Sequence, residues 1–294
     1  MKGFEYVPAA TLAEVVQVLA REGMRARLLA GGTDLIPRMN LGKENVPDYI
    51  VSLRRLGELN YLADGDGGSL RIGALATLHA VEADERVKNN FLALAEAAAA
   101  VGSAQVRNVG TVVGNVCSAA SAADTAVALL SLGAKVNVVG PQGEREVDLP
   151  AFFAGPRRSS LARGEMVKEI VLPAPTREPP VRRGSAFLRV SPRRGMDCSV
   201  AAAAATVVLG KGGAVDEVRI GLGAVAATPL RARAAEEILK GQKPVGNLLD
   251  AATDAAANEC RPIDDIRGSV EYRRQMVRVL VKRAVERACR RASE

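Results

Sequence analysis

The stretch Leu28-Leu29-Ala30-Gly31-Gly32-Thr33-Asp34-Leu35 decides which fold this sequence predicts. Residues 27–30 form a largely apolar run typical of a short buried strand, and two glycines end that run. Thr33 then stands where a helix N-cap would stand, with Asp34 in the first turn. Glycines let another group approach the backbone closely, and N–H groups at a helix N-terminus suit phosphate oxygens. A strand-to-helix turn with nothing bound fits this stretch equally well.

The length and composition are those of a soluble protein of roughly two domains. Of the 294 residues, 48% are hydrophobic, 25% are charged and 3% are aromatic, with no Trp. Scarce aromatic side chains argue against stacking on single-stranded nucleic acid, so we expect no nucleic-acid partner. Residues 1–12 lack the apolar core of a signal peptide, and no apolar run reaches the length of a membrane span. We therefore expect a cytoplasmic protein.

Much of the net charge of +7 lies in residues 273–291, which predict an amphipathic helix. Arginines fill one side of this helix, and we expect that side to face solvent or a partner. The apolar side repeats with helical spacing through Val277, Leu280, Val281, Ala284, Val285 and Ala288.

The cysteine and histidine pattern excludes several kinds of chemistry. Cys117, Cys198, Cys260 and Cys289 form no Cys-x-x-Cys pair, and His79 is the only histidine. No self-contained zinc or iron–sulfur motif follows from this spacing, and we predict no metal-binding residue. We interpret His79 as a structural or surface residue, so no Ser-His-Asp machinery remains and we predict no catalytic side chain. Any chemistry must then be carried by a bound cofactor.

The first half of the chain predicts a small α/β lobe followed by a hairpin. Residues 11–22 predict an amphipathic helix, and residues 49–53 predict a strand. A short helix interrupted near Pro37 should lie between the glycine stretch and that strand. Residues 58–63 and 69–72 flank a glycine-rich turn typical of a hairpin, and residues 91–101 predict an Ala-rich helix.

The second half predicts an α+β domain beyond a Pro-rich linker at residues 173–180. Two strands joined by a glycine turn precede three helices, a run typical of this class. The predicted strands are residues 199–209 and 216–223, and the predicted helices are residues 230–239, 248–260 and 273–291. Gly221-Leu222-Gly223-Ala224-Val225-Ala226 imitates a dinucleotide-binding fingerprint, but Pro229 follows it and residues 240–244 hold no acid, so we reject that match.

A second informative stretch is Gln105-Val106-Arg107-Asn108-Val109-Gly110-Thr111-Val112-Val113-Gly114-Asn115-Val116-Cys117. It alternates small, polar and glycine residues where an ordinary buried strand would be rich in Val, Ile and Leu. Residues 118–125 are nearly all small. Something other than protein side chains could fill the space above these residues, and close packing of two elements is the alternative.

These two glycine stretches together resemble the FAD-binding (medium) subunit of molybdenum hydroxylases, the group of aerobic carbon monoxide dehydrogenase and xanthine dehydrogenase. The resemblance covers nearly the whole chain. It continues through Phe152-Phe153-Ala154-Gly155-Pro156, Arg193-Arg194-Gly195-Met196-Asp197, Ala227-Thr228-Pro229-Leu230-Arg231-Ala232 and Pro262-Ile263-Asp264-Asp265-Ile266-Arg267-Gly268-Ser269.

The resemblance implies an α+β fold with a two-lobed FAD-binding cradle of the vanillyl-alcohol-oxidase (PCMH) type and a small α+β C-terminal domain. The FAD-binding domain would span residues 1–175, with lobes of about 1–55 and 56–175, and the C-terminal domain residues 180–294. The resemblance places Arg189 where many members have a Lys near the flavin, and a cation there would stabilise the reduced ring. The implied FAD-binding residues are Leu29, Ala30, Gly31, Gly32, Thr33, Asp34, Leu35, Thr111, Val112, Val113, Gly114, Asn115, Asp124 and Arg189.

The chain departs from the family pattern at two places beside the second glycine stretch. Val113 replaces the first glycine of the usual Thr-Ile-Gly-Gly-Asn, and a side chain pointing toward the phosphates would narrow their seat. Ala119-Ala120-Ser121 stands where members usually carry Ala-Ser-Pro.

The resemblance implies a relay function within a larger complex. Substrate would be oxidised at a molybdopterin-binding large subunit, and electrons would cross two [2Fe–2S] clusters on a small subunit. This chain would pass them through FAD to a soluble or membrane acceptor. A stand-alone FAD-dependent oxidoreductase of the same fold and a non-catalytic nucleotide-binding assembly protein are the alternatives. The sequence identifies neither the substrate, the acceptor (NAD, quinone or other) nor the stoichiometry.

Overall fold

The structure is a computed structural model that describes residues 2–175, 182–193 and 195–294. Residues 176–180 of the predicted linker and Arg194 of the family-like stretch lie outside the described residues. Among the described residues we find no helix with the length and apolar character of a membrane span.

The first lobe is a three-stranded parallel sheet with two helices. The sheet order is β1-β3-β2, as expected for strand–helix–strand connections. The elements are β1 Glu5–Pro8, α1 Leu12–Glu22, β2 Ala26–Leu29, α2 Leu35–Asn40 and β3 Tyr49–Ser52. The predicted strands and the helix over residues 11–22 are confirmed, and Thr11 caps that helix by accepting a hydrogen bond from the Glu14 N–H.

Helix α2 corrects two details of the prediction. Thr33 is not its N-cap: α2 begins at Leu35, and Asp34 occupies the cap position without a side-chain cap bond. Pro37 does not interrupt the helix, because it is the third residue of α2. The N–H groups of the first residues of a helix have no intrahelical partner, so a proline there removes no hydrogen bond.

The second lobe combines an antiparallel sheet with seven short helices among the described residues. The elements are β4 Leu62–Asp64, β5 Leu70–Gly73, α3 Leu78–Ala83, α4 Glu85–Asn90, α5 Leu92–Ala100, α6 Ala104–Val109, α7 Val112–Cys117, α8 Asp124–Leu132, β6 Lys135–Gly140, β7 Gly143–Asp148, α9 Leu149–Phe152, β8 Phe153–Gly155, β9 Arg158–Ser159 and β10 Met166–Leu172. The sheet order is β4-β5-β10-β6-β7, and β8 pairs with β9 separately. The predicted hairpin is confirmed, although its first strand is shorter because residues 57–59 form a 3₁₀ turn.

The last part of the chain is a four-stranded antiparallel sheet followed by helices. Its elements are β11 Arg182–Val190, β12 Ala201–Leu209, β13 Val215–Gly223, β14 Leu230–Arg231, α10 Arg233–Leu239, α11 Gly246–Glu259 and α12 Val270–Ser293. The predicted helix over residues 230–239 is wrong at its start, because Leu230 and Arg231 pair with β13 and the helix begins at Arg233. All six predicted apolar positions of the last helix are buried in one core with the sheet.

Small residues in β12 and β13 let this sheet pack closely on both faces. Ala201, Ala203 and Ala205 lie in the core formed with α10–α12, whereas Ala202 and Ala204 contact residues of α5 and α8. A Cβ on Gly221 would lie 2.3 Å from the Val127 carbonyl oxygen, which no real side chain permits. The apparent dinucleotide fingerprint is therefore explained by tight packing of β13 on α8.

The basic side of α12 is less exposed than predicted. Arg273 is buried and donates hydrogen bonds of 2.7 Å to the carbonyl oxygens of Val200 and Ala224. Arg291 contacts Glu96 on α5 at 2.6 Å. The prediction of a solvent- or partner-facing arginine surface is thus wrong for these two residues, which bind parts of this chain.

Glu169 is a buried carboxylate in the middle of the second sheet. It accepts hydrogen bonds from the Tyr61 hydroxyl at 2.6 Å, the Asn137 amide at 2.7 Å and the Arg71 guanidinium at 2.8 and 3.1 Å. Burial raises the pKa of Glu169, but these hydrogen bonds lower it more, so that the pKa lies below its ordinary value. The folded state therefore stabilises the ionised form.

We expect Glu169→Ala to lower the free energy of unfolding by about 1–3 kcal/mol at pH 7, because three donors lose a charged acceptor. A depressed folded pKa contributes stability above the unfolded pKa of about 4.3, and that stability is lost as the pH falls through the folded pKa. The difference from wild type should therefore shrink below about pH 4. Urea unfolding at several pH values measures this, with Glu144→Ala as the control, since Glu144 makes an exposed pair with Lys168. Equal losses in the two variants would contradict a special role for the buried carboxylate.

Candidate functional site

A cavity of about 620 Å³ lies where the two glycine stretches, the segment 117–124 and the strand end at Arg189 meet. Leu29 borders a second cavity of about 380 Å³ next to the first glycine stretch, and buried Val112 lines neither cavity. The predicted site residues that line the larger cavity are Ala30, Gly31, Gly32, Thr33, Asp34, Leu35, Thr111, Val113, Gly114, Asn115, Asp124 and Arg189.

The two glycines of the first stretch are required for different reasons. A Cβ on Gly31 would lie 2.2 Å from the Val109 carbonyl oxygen, so the backbones of the two glycine stretches touch. Gly32 has φ +71°, a left-handed conformation that a Cβ disfavours. Residues 30–34 can therefore line the cavity with backbone where most sequences would place side chains.

The second stretch forms two short helices, α6 and α7. Ser103 caps α6 and Thr111 caps α7, with the Thr111 hydroxyl accepting a hydrogen bond of 3.0 Å from the Gly114 N–H. The Gly110 carbonyl accepts a hydrogen bond of 2.8 Å from the Leu78 N–H, which fixes the turn between the helices. Helix caps at Ser103 and Thr111 are the sequence signal that could have found these helices.

The two departures from the family pattern occupy distinct places. Val113 lies in the first turn of α7 and is only 4% exposed, yet it is part of the cavity wall. Ala119 has φ +45°, and the carbonyl of Ser121 accepts a hydrogen bond of 2.7 Å from the Ala224 N–H. The segment 119–121 therefore connects the cavity wall to the sheet of the last domain.

Asp124 and Arg189 form a buried ion pair in the cavity wall. The Asp124 carboxylate contacts Nη1 of Arg189 at 2.7 Å and accepts a hydrogen bond of 2.6 Å from the Ser199 hydroxyl. The side chains of Asp124 and Arg189 are 5% and 11% exposed, respectively. Burial raises the pKa of the Asp124 carboxyl above its ordinary value, although Arg189 and Ser199 oppose the shift. This pair joins the N-terminus of α8 to the end of β11.

Several lining residues had no predicted role. Arg157 lies between β8 and β9 and contacts Asp34, and Met196, Asp197 and Cys198 line the side of the cavity nearest Arg189. The family-like stretch 152–156 ends just before Arg157, and the stretch 193–197 contains Met196 and Asp197 and ends just before Cys198. Their position in or next to these stretches is the sequence signal that could have identified them. Cys117 also lines the cavity, and burial raises the pKa of its thiol to about 12, so it is not a reactive thiolate at neutral pH.

The residues present fit a flavin dinucleotide. The cavity volume lies within the range of about 300–1,000 Å³ typical of small-molecule sites. Backbone N–H groups and glycines suit a diphosphate, since no side chain obstructs it at Gly31 or Gly32. Arg157 and Arg189 lie in the same wall, each paired with a carboxylate that also lines the cavity, Asp34 and Asp124 respectively.

Comparison with known proteins assigns the chain and its fold to one class. Residues 2–175 match the FAD binding domain in molybdopterin dehydrogenase, and residues 186–288 match the CO dehydrogenase flavoprotein C-terminal domain. The carbon monoxide dehydrogenase medium chain of Afipia carboxidovorans is 33% identical over 289 residues, covering 98% of each chain. The glyceraldehyde dehydrogenase medium chain of Sulfolobus acidocaldarius is 34% identical over 283 residues, covering 96% of each chain.

Solved structures agree with these relatives. A carbon monoxide dehydrogenase chain from Hydrogenophaga pseudoflava, in an enzyme lacking the Mo-pyranopterin moiety of its cofactor, superposes with a TM-score of 0.93 at 33% identity over 99% of each chain. A chain of quinoline 2-oxidoreductase from Pseudomonas putida 86 gives a TM-score of 0.90 at 29% identity over 100% of each chain.

The chain belongs to the family of FAD-binding subunits of molybdenum hydroxylases, the group that includes carbon monoxide dehydrogenase and xanthine dehydrogenase. Its FAD-binding domain precedes the flavoprotein C-terminal domain of that family, and it is a subunit of an FAD-dependent oxidoreductase. The predicted family, fold class and cofactor are thereby confirmed. The roles of individual site residues stay predictions.

Proposed function

We propose that this chain relays electrons within a molybdenum hydroxylase complex, from [2Fe–2S] clusters on a small subunit through FAD to an external acceptor. The observation that carries the proposal is the cavity enclosed by two touching glycine stretches, on a chain that aligns with medium chains over nearly its full length. FAD, when bound, supplies the capacity to exchange electrons one or two at a time.

Residues 30–34 and 111–115 would hold the diphosphate and adjoining parts of FAD, since all of them except Val112 line the cavity and three of them are glycines. Asp124 and Arg189 would border the flavin end, with Arg189 kept in place by the buried carboxylate. We place the FAD-binding domain at residues 1–175, in lobes of about 1–55 and 56–175, and the C-terminal domain at residues 180–294.

Apolar residues of the cavity wall would shield one side of the cofactor from water. Val113 and Ala123 are buried, and Ala120 and Ala122 beside them are half-buried. Cys117 remains a neutral thiol there, which supports non-covalent attachment of the cofactor.

The proposed partners are a molybdopterin-binding large subunit, a [2Fe–2S] small subunit and a soluble or membrane acceptor, in the cytoplasm. The relatives support this assembly because they are named as medium chains or FAD-binding subunits of dehydrogenases. Substrate would then bind on another chain.

We expect the isolated, FAD-loaded chain not to oxidise carbon monoxide, purines or N-heterocycles, because the proposed substrate site lies on a partner. Anaerobic mixing with each substrate should leave the flavin absorbance band unchanged, while an artificial reductant such as dithionite bleaches it. Purification of the tagged chain from its native source should recover two further chains together with molybdenum and iron.

The two alternative functions predict different results in these experiments. Rapid bleaching by a substrate in the absence of partners would replace the relay with a stand-alone oxidoreductase. A colourless protein that cannot be reconstituted with FAD would instead favour a nucleotide-binding assembly protein. Flavin that stays on the polypeptide after denaturation would contradict non-covalent binding.

A further inference from the structure

Arg157 and Asp34 form an ion pair at the open edge of the cavity. Nη1 of Arg157 lies 2.9 Å from Oδ2 and 3.2 Å from Oδ1 of Asp34, and the two residues are 123 positions apart in the chain. Their side chains are 40% and 51% exposed. Exposed pairs contribute little to stability, because water competes for both charges. A contribution to the stability of the fold therefore does not account for this ion pair.

The backbone of Arg157 is held in an unusual conformation. Its φ is +57°, in the left-handed region that bulky residues rarely adopt. Its N–H donates a hydrogen bond of 3.1 Å to the carbonyl of Ala119, which itself has φ +45°. Such conformations persist where surrounding structure imposes them, and they concentrate at functional sites. Two of them, bonded to each other, position Arg157 beside the cavity.

Arg157 differs from the other cations that line the cavity. Arg189 is committed to the buried Asp124. Arg27 lies 3.5 Å from Glu44 and donates to the carbonyls of Met24 and Ala26. Arg157 has one partner among the described side chains, Asp34, and engages it through Nη1 alone. A guanidinium has five N–H donors, so most of its capacity is left for a ligand.

We propose that Arg157 is a diphosphate-binding residue for FAD, supplied by the second lobe, and that its guanidinium also neutralises Asp34 of the first lobe. The proposal rests on FAD binding in this cavity. Without Arg157, the Asp34 carboxylate would have Arg38 at 3.9 Å as its remaining cation. Its negative charge would then repel the two phosphate charges more strongly. Arg157 neutralises Asp34 and donates charge-assisted hydrogen bonds to the diphosphate, so that cofactor binding joins the two lobes.

The test is titration of the apo-protein with FAD, ADP and riboflavin, following flavin fluorescence or heat of binding. Arg157→Gln should weaken FAD and ADP by about 10- to 100-fold and leave riboflavin, which has no phosphate, unchanged. It should also reduce the salt dependence of FAD binding. Arg158→Gln is the matched control, because the neighbouring Arg158 is exposed and does not line the cavity.

Asp34→Asn separates the two halves of the proposal. Removing the carboxylate should leave FAD affinity equal or improve it, since Arg157 stays available and a repulsive charge is lost. A loss as large as that of Arg157→Gln would overturn the role assigned to Asp34. Equal weakening of riboflavin by Arg157→Gln, or no weakening of FAD, would overturn the role assigned to Arg157. Failure of wild-type protein to bind FAD would instead overturn the site as a whole.

Discussion

Gly32→Val is expected to abolish FAD binding or weaken it at least about 100-fold, because the first glycine stretch holds the diphosphate through its backbone. The structure gives the physical reason. Gly32 has φ +71°, which a β-branched residue avoids, and its Cβ would lie 2.9 Å from Cδ1 of Leu29. The leucine side chain could move aside, so the backbone conformation is the decisive effect. Its loss would turn the N–H groups of residues 32–34 away from their ligand.

The control for this experiment is Gly212→Val. Gly212 has φ +76°, nearly the same backbone strain, but lies in the turn before β13 with nothing within 4 Å of its Cβ. The two variants should therefore lose similar stability, and only Gly32→Val should lose flavin. Absorbance of the purified proteins, FAD titration and thermal unfolding measure these effects. Equal FAD affinity in both variants would show that residues 31–32 form only a turn. Gly31 is a poorer target, because its Cβ would collide with backbone.

Local sequence patterns were sufficient to predict the helices and strands whose residues interact mainly with their neighbours in sequence. Helix α1 and helix α12 follow from apolar spacing and caps, and the strand before Gly31 follows from its apolar run. The resemblance then supplied the arrangement of the lobes, which no local pattern contains. The comparisons confirmed that class independently of the cavity.

Two strands had no clear local signal: β10, in the middle of its sheet, and β11, at the edge of its sheet. Strand β10 contains Lys168 and Glu169 in its middle, and the buried Glu169 is tolerated only because Arg71, Tyr61 and Asn137 reach it from other parts of the chain. Strand β11 begins with two arginines, and its buried residues 184–187 pack against α12 and α5. Partners remote in sequence decide both strands, so their polar residues argue against strands until the tertiary contacts are known.

In the candidate site, too, local sequence patterns identify some residues, whereas contacts between remote parts of the chain determine others. Gly31 and Gly32 are recognisable because close backbone approach requires glycine, and twelve of the fourteen predicted residues line one cavity. The contacts that complete the wall are long-range: Arg157 with Asp34, Arg189 with Asp124, and Ala224 with Ser121. The resemblance also predicts Leu29 and Val112 to bind FAD, but neither of them lines the larger cavity.

The Asp124–Arg189 pair raises the question whether a buried ion pair serves stability or the cofactor. Removing one partner alone cannot answer it. Asp124→Ala would leave the Arg189 guanidinium, 11% exposed, without its carboxylate, and we expect a loss of about 3–5 kcal/mol in the free energy of unfolding. FAD affinity would fall with the fold, whatever the pair does for the cofactor.

The decisive variant replaces the whole cluster with uncharged residues of similar size, as Asp124→Leu, Arg189→Met and Ser199→Ala together. Buried pairs exchanged for packed apolar groups often cost nothing, and removing the Ser199 hydroxyl avoids a buried donor without an acceptor. We expect stability close to wild type but FAD affinity at least tenfold weaker, since the cavity loses its only buried cation–carboxylate pair among the described residues. Urea unfolding and FAD titration of the same preparations separate the two effects. If the triple variant matches wild type in both stability and FAD affinity, the pair is a structural link between α8 and β11. If it matches wild type in stability but binds FAD more weakly, the pair serves the cofactor.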